Sequence, residues 1–141
     1  MFSPQITAIL KRQLFFLGTT YEDTPRVRPM RPFLDDSGNI WLISYKGTEK
    51  NKEIDLNNKV ELCTVDNNDV LRLQGFLLQE KDMCSEEIKD IRQRIFNNLP
   101  HVKEIFKDAF DSNMVVYKLI VSNTIFRSLN NAAVSELHFK L

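Results

Sequence analysis

Short apolar runs cut off by turn-forming residues fill most of this chain, and that alternation restricts its fold more than any other feature. Leu14-Phe15-Phe16-Leu17-Gly18-Thr19-Thr20 is a compact run ending in β-formers, followed by the polar turn Tyr21-Glu22-Asp23-Thr24-Pro25. Arg26 to Leu34 reads as the returning strand. Pro29 and Pro32 cannot donate to a ladder, so this strand belongs at an edge or carries a bulge. Asp35-Asp36-Ser37-Gly38 is a hairpin turn with glycine available for a left-handed position, and it leads into the dense strand Asn39 to Tyr45. Lys59 to Asp66 alternates, with Val60, Leu62 and Thr64 on one face. After the turn Asn67-Asn68-Asp69, Val70 to Gln79 forms another strand, with Gly75 marking a bulge or a close approach. Met114–Val121 and Thr124–Leu129 give two more strands, and Val134–Phe139 a last short one.

Helical spacing interrupts the strands in four places. Ser3-Pro4 reads as N-cap and N1 of a helix whose apolar side is Ile6, Ile9, Leu10 and Leu14. A short helix spans about Thr48 to Asn57, with Ile54 and Leu56 as its apolar contacts. The clearest helix is capped by Ser85, carries Glu86 and Glu87 at its positive end, and repeats Ile88, Ile91, Ile95 and Leu99. Pro100 stops it. His101 to Phe110 then forms a shorter helix with Val102, Ile105, Phe106 and Ala109 inward. Strands that follow one another, broken by a few helices, describe an α+β fold, most simply a small antiparallel β-barrel of about six to seven strands with flanking helices, which the resemblance described below makes a split barrel. Its 141 residues suit a single domain spanning residues 1–141.

Several function classes drop out. Nineteen basic and nineteen acidic residues give zero net charge, so a sequence-independent polyanion binder is not expected. Two cysteines, Cys63 and Cys84, and two histidines, His101 and His138, are scattered without metal-ligand spacing, which suits reduced thiols in a cytoplasmic protein and no metal site. Met1-Phe2-Ser3-Pro4 is not the basic start of a signal peptide, and no apolar run reaches membrane-spanning length. The glycines at 18, 38, 47 and 75 are isolated, so no glycine-rich phosphate loop can be written, and GxSxG and HExxH are absent. Asp35/Asp36 and Glu86/Glu87 are accounted for by a turn and a helix start.

Phosphate-binding chemistry remains, between residues 26 and 52. On an alternating strand Arg26, Arg28, Met30 and Pro32 share a face, with Arg31 on the other. The next strand ends in Ser44-Tyr45-Lys46, and Gly47-Thr48-Glu49-Lys50 turns into a helix. A hydroxyl and a lysine at a helix N-terminus, facing a strand arginine with its bidentate fork, would cradle a phosphate monoester. The alternative is an ordinary solvated basic surface.

These segments, in this order and spacing, resemble a known family. Gly18-Thr19-Thr20, Pro25-Arg26-Val27-Arg28-Pro29-Met30, Asp36 to Ser44, Thr48 to Ile54, Asn57 to Leu62 and Leu71 to Gly75 are similar to the pyridoxamine 5′-phosphate oxidase-like, FMN-binding split β-barrels. The resemblance covers about residues 5 to 130. It implies a homodimer with FMN at the subunit interface. The flavin phosphate would be held by Arg28, Thr48 and Lys50, with Lys46 or Lys52 able to stand in for Lys50. Backbone groups of Pro29, Met30, Ile43 and Ser44 would lie near the flavin ring. Glu49 stands where many relatives carry Arg, which removes one positive contact. The segment Asn130 to Leu141 lacks the Arg- and Trp-rich character of the oxidase's substrate-binding terminus, so vitamin B6 synthesis is not expected. Trp41 is assigned to the core. The resemblance implies an FMN-dependent oxidoreductase acting on a small substrate, with NAD(P)H a candidate donor, and leaves its catalytic residues unassigned. The alternative is a non-catalytic flavin- or haem-binding sensor on the same scaffold, with His101 or His138 as candidate haem ligand. The ten Phe, against three Tyr and one Trp, suit a small barrel core or a dimer face.

Overall fold

The computed structural model describes residues 2–129 and 137–140, the latter by backbone alone. Along the chain it runs α1 (Pro4–Arg12), β1 (Phe15–Tyr21), β2 (Thr24–Met30), β3 (Phe33–Leu34), β4 (Ile40–Tyr45), α2 (Glu49–Leu56), β5 (Lys59–Asp66) and β6 (Asp69–Gln79). A 3-10 turn at Glu80–Asp82 leads to α3 (Ser85–Asn98), α4 (Pro100–Ile105), β7 (Met114–Ser128) and β8 (Leu137–Lys140). The strands form one antiparallel sheet in the order β2-β1-β5-β6-β7-β4-β3, with β8 also on β7, and the sheet curls into the expected split barrel.

Local chemistry explains most of these elements. Ser3 accepts a hydrogen bond from the Ile6 N–H and Pro4 opens α1, as its sequence requires. Glu22 and Asp23 both adopt positive φ and close the two-residue turn between β1 and β2. Pro25 and Pro29 sit in β2, which is the edge of the sheet, while Pro32 lies in the gap that separates β2 from β3. The single expected strand Arg26–Leu34 is therefore two.

Gly75 lies where the β6–β7 register shifts. A Cβ there would come within 2.0 Å of the Ile120 carbonyl oxygen, so only glycine lets the two backbones meet. The opposite strand absorbs the shift at Ser122, which has no partner between Val121 and Asn123. Met114–Ser128 is thus one continuous strand and not the two the polar Ser122-Asn123 pair suggests. Of the expected strand at 134–139, residues 137–139 belong to β8 and 134–136 lie outside the described residues.

Two apolar clusters lie on opposite faces of the sheet. Inside the curl, Ile9, Leu10, Phe15, Leu17, Leu42, Ile54, Leu62 and Leu73 pack together, so α1 and α2 close on the barrel interior. Outside, α3 and α4 lay Ile88, Ile91, Ile95 and Val102 over Trp41, Met114 and Val116. Three local assignments change. Cys84 and not Ser85 holds the N-cap position of α3, with Ser85 as first helical residue. Leu56 is 72% exposed, because α2 ends as that side turns to solvent, and Ile105 is 56% exposed at the end of α4, which is shorter than expected. Phe15 is fully buried but Phe16, on the opposite face of β1, is not. Among the described residues no helix is long and apolar enough to cross a membrane.

Candidate functional site

Arg28 is the centre of a polar cluster that joins β1, β2 and α2. The β1–β2 register sets it opposite Leu17, on the same face as the barrel interior, so its side chain must find partners across β1. It finds them on α2. Arg28 Nη2 donates to both carboxylate oxygens of Glu53 at 2.9 Å. Nη1 donates to Thr19 Oγ1 at 2.7 Å and more weakly to the Leu17 carbonyl at 3.5 Å. Glu53 and Thr19 are buried, whereas Arg28 is partly open to solvent. Lys50 lies one turn before Glu53 on α2. Burial, and then the neighbouring Arg28 charge, push its ammonium below the usual lysine range.

Glu53 and Thr19 do not stand out in the sequence. Glu53 is one of several charged residues in a lysine- and glutamate-rich helix. Its only signal is indirect, since an arginine on the face of β2 that carries buried Met30 needs a carboxylate nearby.

The strand end and helix start predicted as a phosphate cradle do meet. Ser44, buried at the end of β4, has its hydroxyl 3.1 Å from that of Thr48. Thr48 occupies the N-cap position of α2 but makes no capping hydrogen bond, so its side chain leaves the first-turn N–H groups to other acceptors. The two hydroxyls and the first-turn N–H groups therefore lie at one end of α2, and Lys50 belongs to that first turn, residue types that suit a phosphate monoester. Arg28 differs from the expectation in one respect: its Nη2 pair is engaged with Glu53.

The remaining predicted residues are distributed around this centre. Lys46 and Lys52 line a groove of about 870 Å³ on another side of α2, with Asn51, Asp55 and Tyr117. There Tyr117 donates to Asn51 Oδ1 at 2.8 Å, and Asn51 donates to the Tyr45 carbonyl at 2.9 Å. Burial first, then Asp55 and Glu80, push the Tyr117 phenol above its usual range. Pro29 is exposed opposite Phe16, Met30 is buried opposite Phe15, and Ile43 packs on the outer cluster. Glu49 is exposed, 3.9 Å from Lys52. Arg26 sits over the Tyr21 ring, and Arg31 donates to the Arg12 carbonyl.

Other candidates take structural roles. Asp35 accepts from the Ser37 and Asn39 N–H groups and from Trp41 Nε1, each at 2.9 Å. Burial works against its charge, but the bonds from Trp41, Asn39 and Ser37 outweigh it and hold the carboxyl below the usual range. Trp41 itself is buried, as assigned. His101 on α4 is half-buried. Burial, then Arg31, lower its pKa against the opposing effect of Glu104. His138 falls in β8, which is described by its backbone. Among the described residues no cluster of His, Cys, Asp and Glu could hold a metal.

The chain is similar to known proteins over most of its length. A family model for pyridoxamine 5′-phosphate oxidase matches residues 2–119. No curated protein matches the chain at a significant level. Among solved structures, a NimC/NimA family protein from Clostridium acetobutylicum is 22% identical over 99% of this chain and 95% of that one, with a TM-score of 0.78. A pyridoxamine 5′-phosphate oxidase-related, FMN-binding protein from Nostoc punctiforme is 15% identical over 99% and 92%, also at 0.78. A heme-binding protein from Mycobacterium smegmatis is 14% identical over 88% of this chain and 52% of that one, at 0.68. The barrel, its helices and the matched span lead to one conclusion: the chain belongs to the pyridoxamine 5′-phosphate oxidase family.

Proposed function

We propose that this protein is a homodimeric FMN-binding flavoprotein that works as an oxidoreductase on a small substrate. The observation that supports the reading is the pairing of the Ser44 and Thr48 hydroxyls at the N-terminus of α2, where Lys50 lies in the first turn, in a chain of this family. Ser44 and Thr48 would donate hydroxyl hydrogen bonds to the phosphate, Lys50 would supply a point charge, and the first turn of α2 its N–H dipoles. Backbone groups of Pro29, Met30, Ile43 and Ser44 would orient the ring.

Bound FMN supplies the redox chemistry, with NAD(P)H a candidate electron donor. The protein's own part is binding, orientation and exclusion of water. The paired face of β1, β2 and β5 supports a second copy of the chain as partner. Phe16, Val27 and Val65 project from it and are exposed at 47%, 70% and 52%.

A titration of the purified protein with FMN, read by flavin fluorescence, tests the reading. Saturable binding that Lys50→Ala weakens at least ~10-fold supports it. Absence of binding contradicts it. The heme-binding M. smegmatis relative supports a second, non-catalytic reading with His101 as ligand, for which a Soret band on haem addition is the test.

A further inference from the structure

The geometry points to Glu53 as a built-in competitor for the cofactor phosphate, one that lowers the charge the site can offer and so weakens its preference for a phosphorylated flavin. This rests on the FMN reading above and deepens it. An arginine has five N–H donors. In Arg28, Nη2 donates to both oxygens of the Glu53 carboxylate at 2.9 Å, while Nη1 serves Thr19 Oγ1 at 2.7 Å and the Leu17 carbonyl at 3.5 Å. Nε is the one guanidinium nitrogen that donates to no other described residue.

Arg28 therefore cannot present a fork to an incoming phosphate unless Glu53 lets go of it. Glu53 is 2% exposed, so water does not screen its charge. Releasing Arg28 would leave that carboxylate buried without a partner, which resists the exchange. Lys50 is then the cation of this cluster that no carboxylate within it neutralises. Arg28, Glu53 and Lys50 together carry one net positive charge, against a phosphate monoester that carries about −1.5 to −2 at neutral pH. Glu49, 81% exposed by side chain at the start of α2, adds no positive contact. The site is thus tuned below the charge of its ligand, and Glu53 is the residue that sets the deficit.

The test compares FMN with riboflavin, which shares the ring and lacks the phosphate, on the full chain at neutral pH. Glu53→Gln keeps the side-chain size and removes the competing charge. FMN binding at least ~10-fold tighter than wild type, with riboflavin binding unchanged, is the expected result. FMN binding that is unchanged or weaker in Glu53→Gln would overturn the proposal, since Glu53 would then serve only to hold Arg28 in place. If this variant does not melt cooperatively, Lys50→Gln decides: with Arg28 held by Glu53, its preference for FMN over riboflavin should fall at least ~10-fold, leaving only what the hydroxyls and first-turn N–H groups supply. An undiminished preference would mean that Arg28 serves the phosphate in place of Lys50, and the proposal fails. Wild-type protein that binds neither flavin contradicts the cofactor reading itself, a result distinct from flavin binding that ignores Glu53.

Discussion

At the residue scale, the Arg28–Glu53 pair ties the edge strand β2 to α2. Replacing Arg28 with Met strands a buried carboxylate, so the variant should lose about 3–5 kcal/mol of stability in urea unfolding. The double variant Arg28→Met/Glu53→Leu removes both charges together and should recover most of that loss. A double variant no more stable than the single one would mean that the carboxylate is not what the arginine neutralises.

Asp35 offers a pH-dependent counterpart. Its folded-state pKa is lowered, so its contribution is present above the unfolded value and disappears as pH falls through the folded one. Asp35→Asn should therefore cost about 1.5–3 kcal/mol at pH 7 and clearly less at an acidic pH below the unfolded carboxyl value. Trp41, the chain's one tryptophan and a direct partner of Asp35, reports the transition by fluorescence. Equal destabilisation at both pH values would show that ionisation is not the source.

Elements carry their own tests. Gly75→Ala sets a Cβ against the backbone of β7 at the register shift and should cost about 1–3 kcal/mol by denaturant unfolding. A variant of wild-type stability would place the strands further apart than the structure does. The close approach was readable in the sequence because a lone glycine inside a strand pattern has few other uses. The matching irregularity in β7 was not, because Ser122-Asn123 looks like a chain break. Gln74, which pairs with Asn123, lies far away along the chain and takes a hydrogen bond from Ser122 on its carbonyl oxygen.

The same contrast holds within α3. Its isoleucines announce the buried face, yet Arg92 lies on that face too and is buried. There it donates to the carbonyls of Ala109, Asp111 and Met114 and pairs with Glu80, tying α3 to the start of β7. Periodicity located the stripe; only tertiary structure shows which distant carbonyls make an arginine acceptable in it. In the candidate site, Ser44, Thr48 and Lys50 were legible from local spacing, while Glu53 and Thr19 became visible only when α2 packed on β1.

For the whole molecule, two chains with one cofactor site per chain are expected. The 16.5 kDa chain should sediment at about twice its mass at micromolar concentration, and charge placed on the exposed β1–β2 face by Phe16→Lys/Val27→Lys should give a folded monomer. A wild-type monomer would contradict the dimer. Equilibrium titration of the wild-type protein and Lys50→Ala with FMN and with riboflavin decides whether the end of α2 holds a flavin phosphate. Saturable FMN binding that weakens at least ~10-fold in Lys50→Ala, with riboflavin binding unchanged, is the expected result. No FMN binding by the wild type, or an equal loss for both flavins, would contradict it.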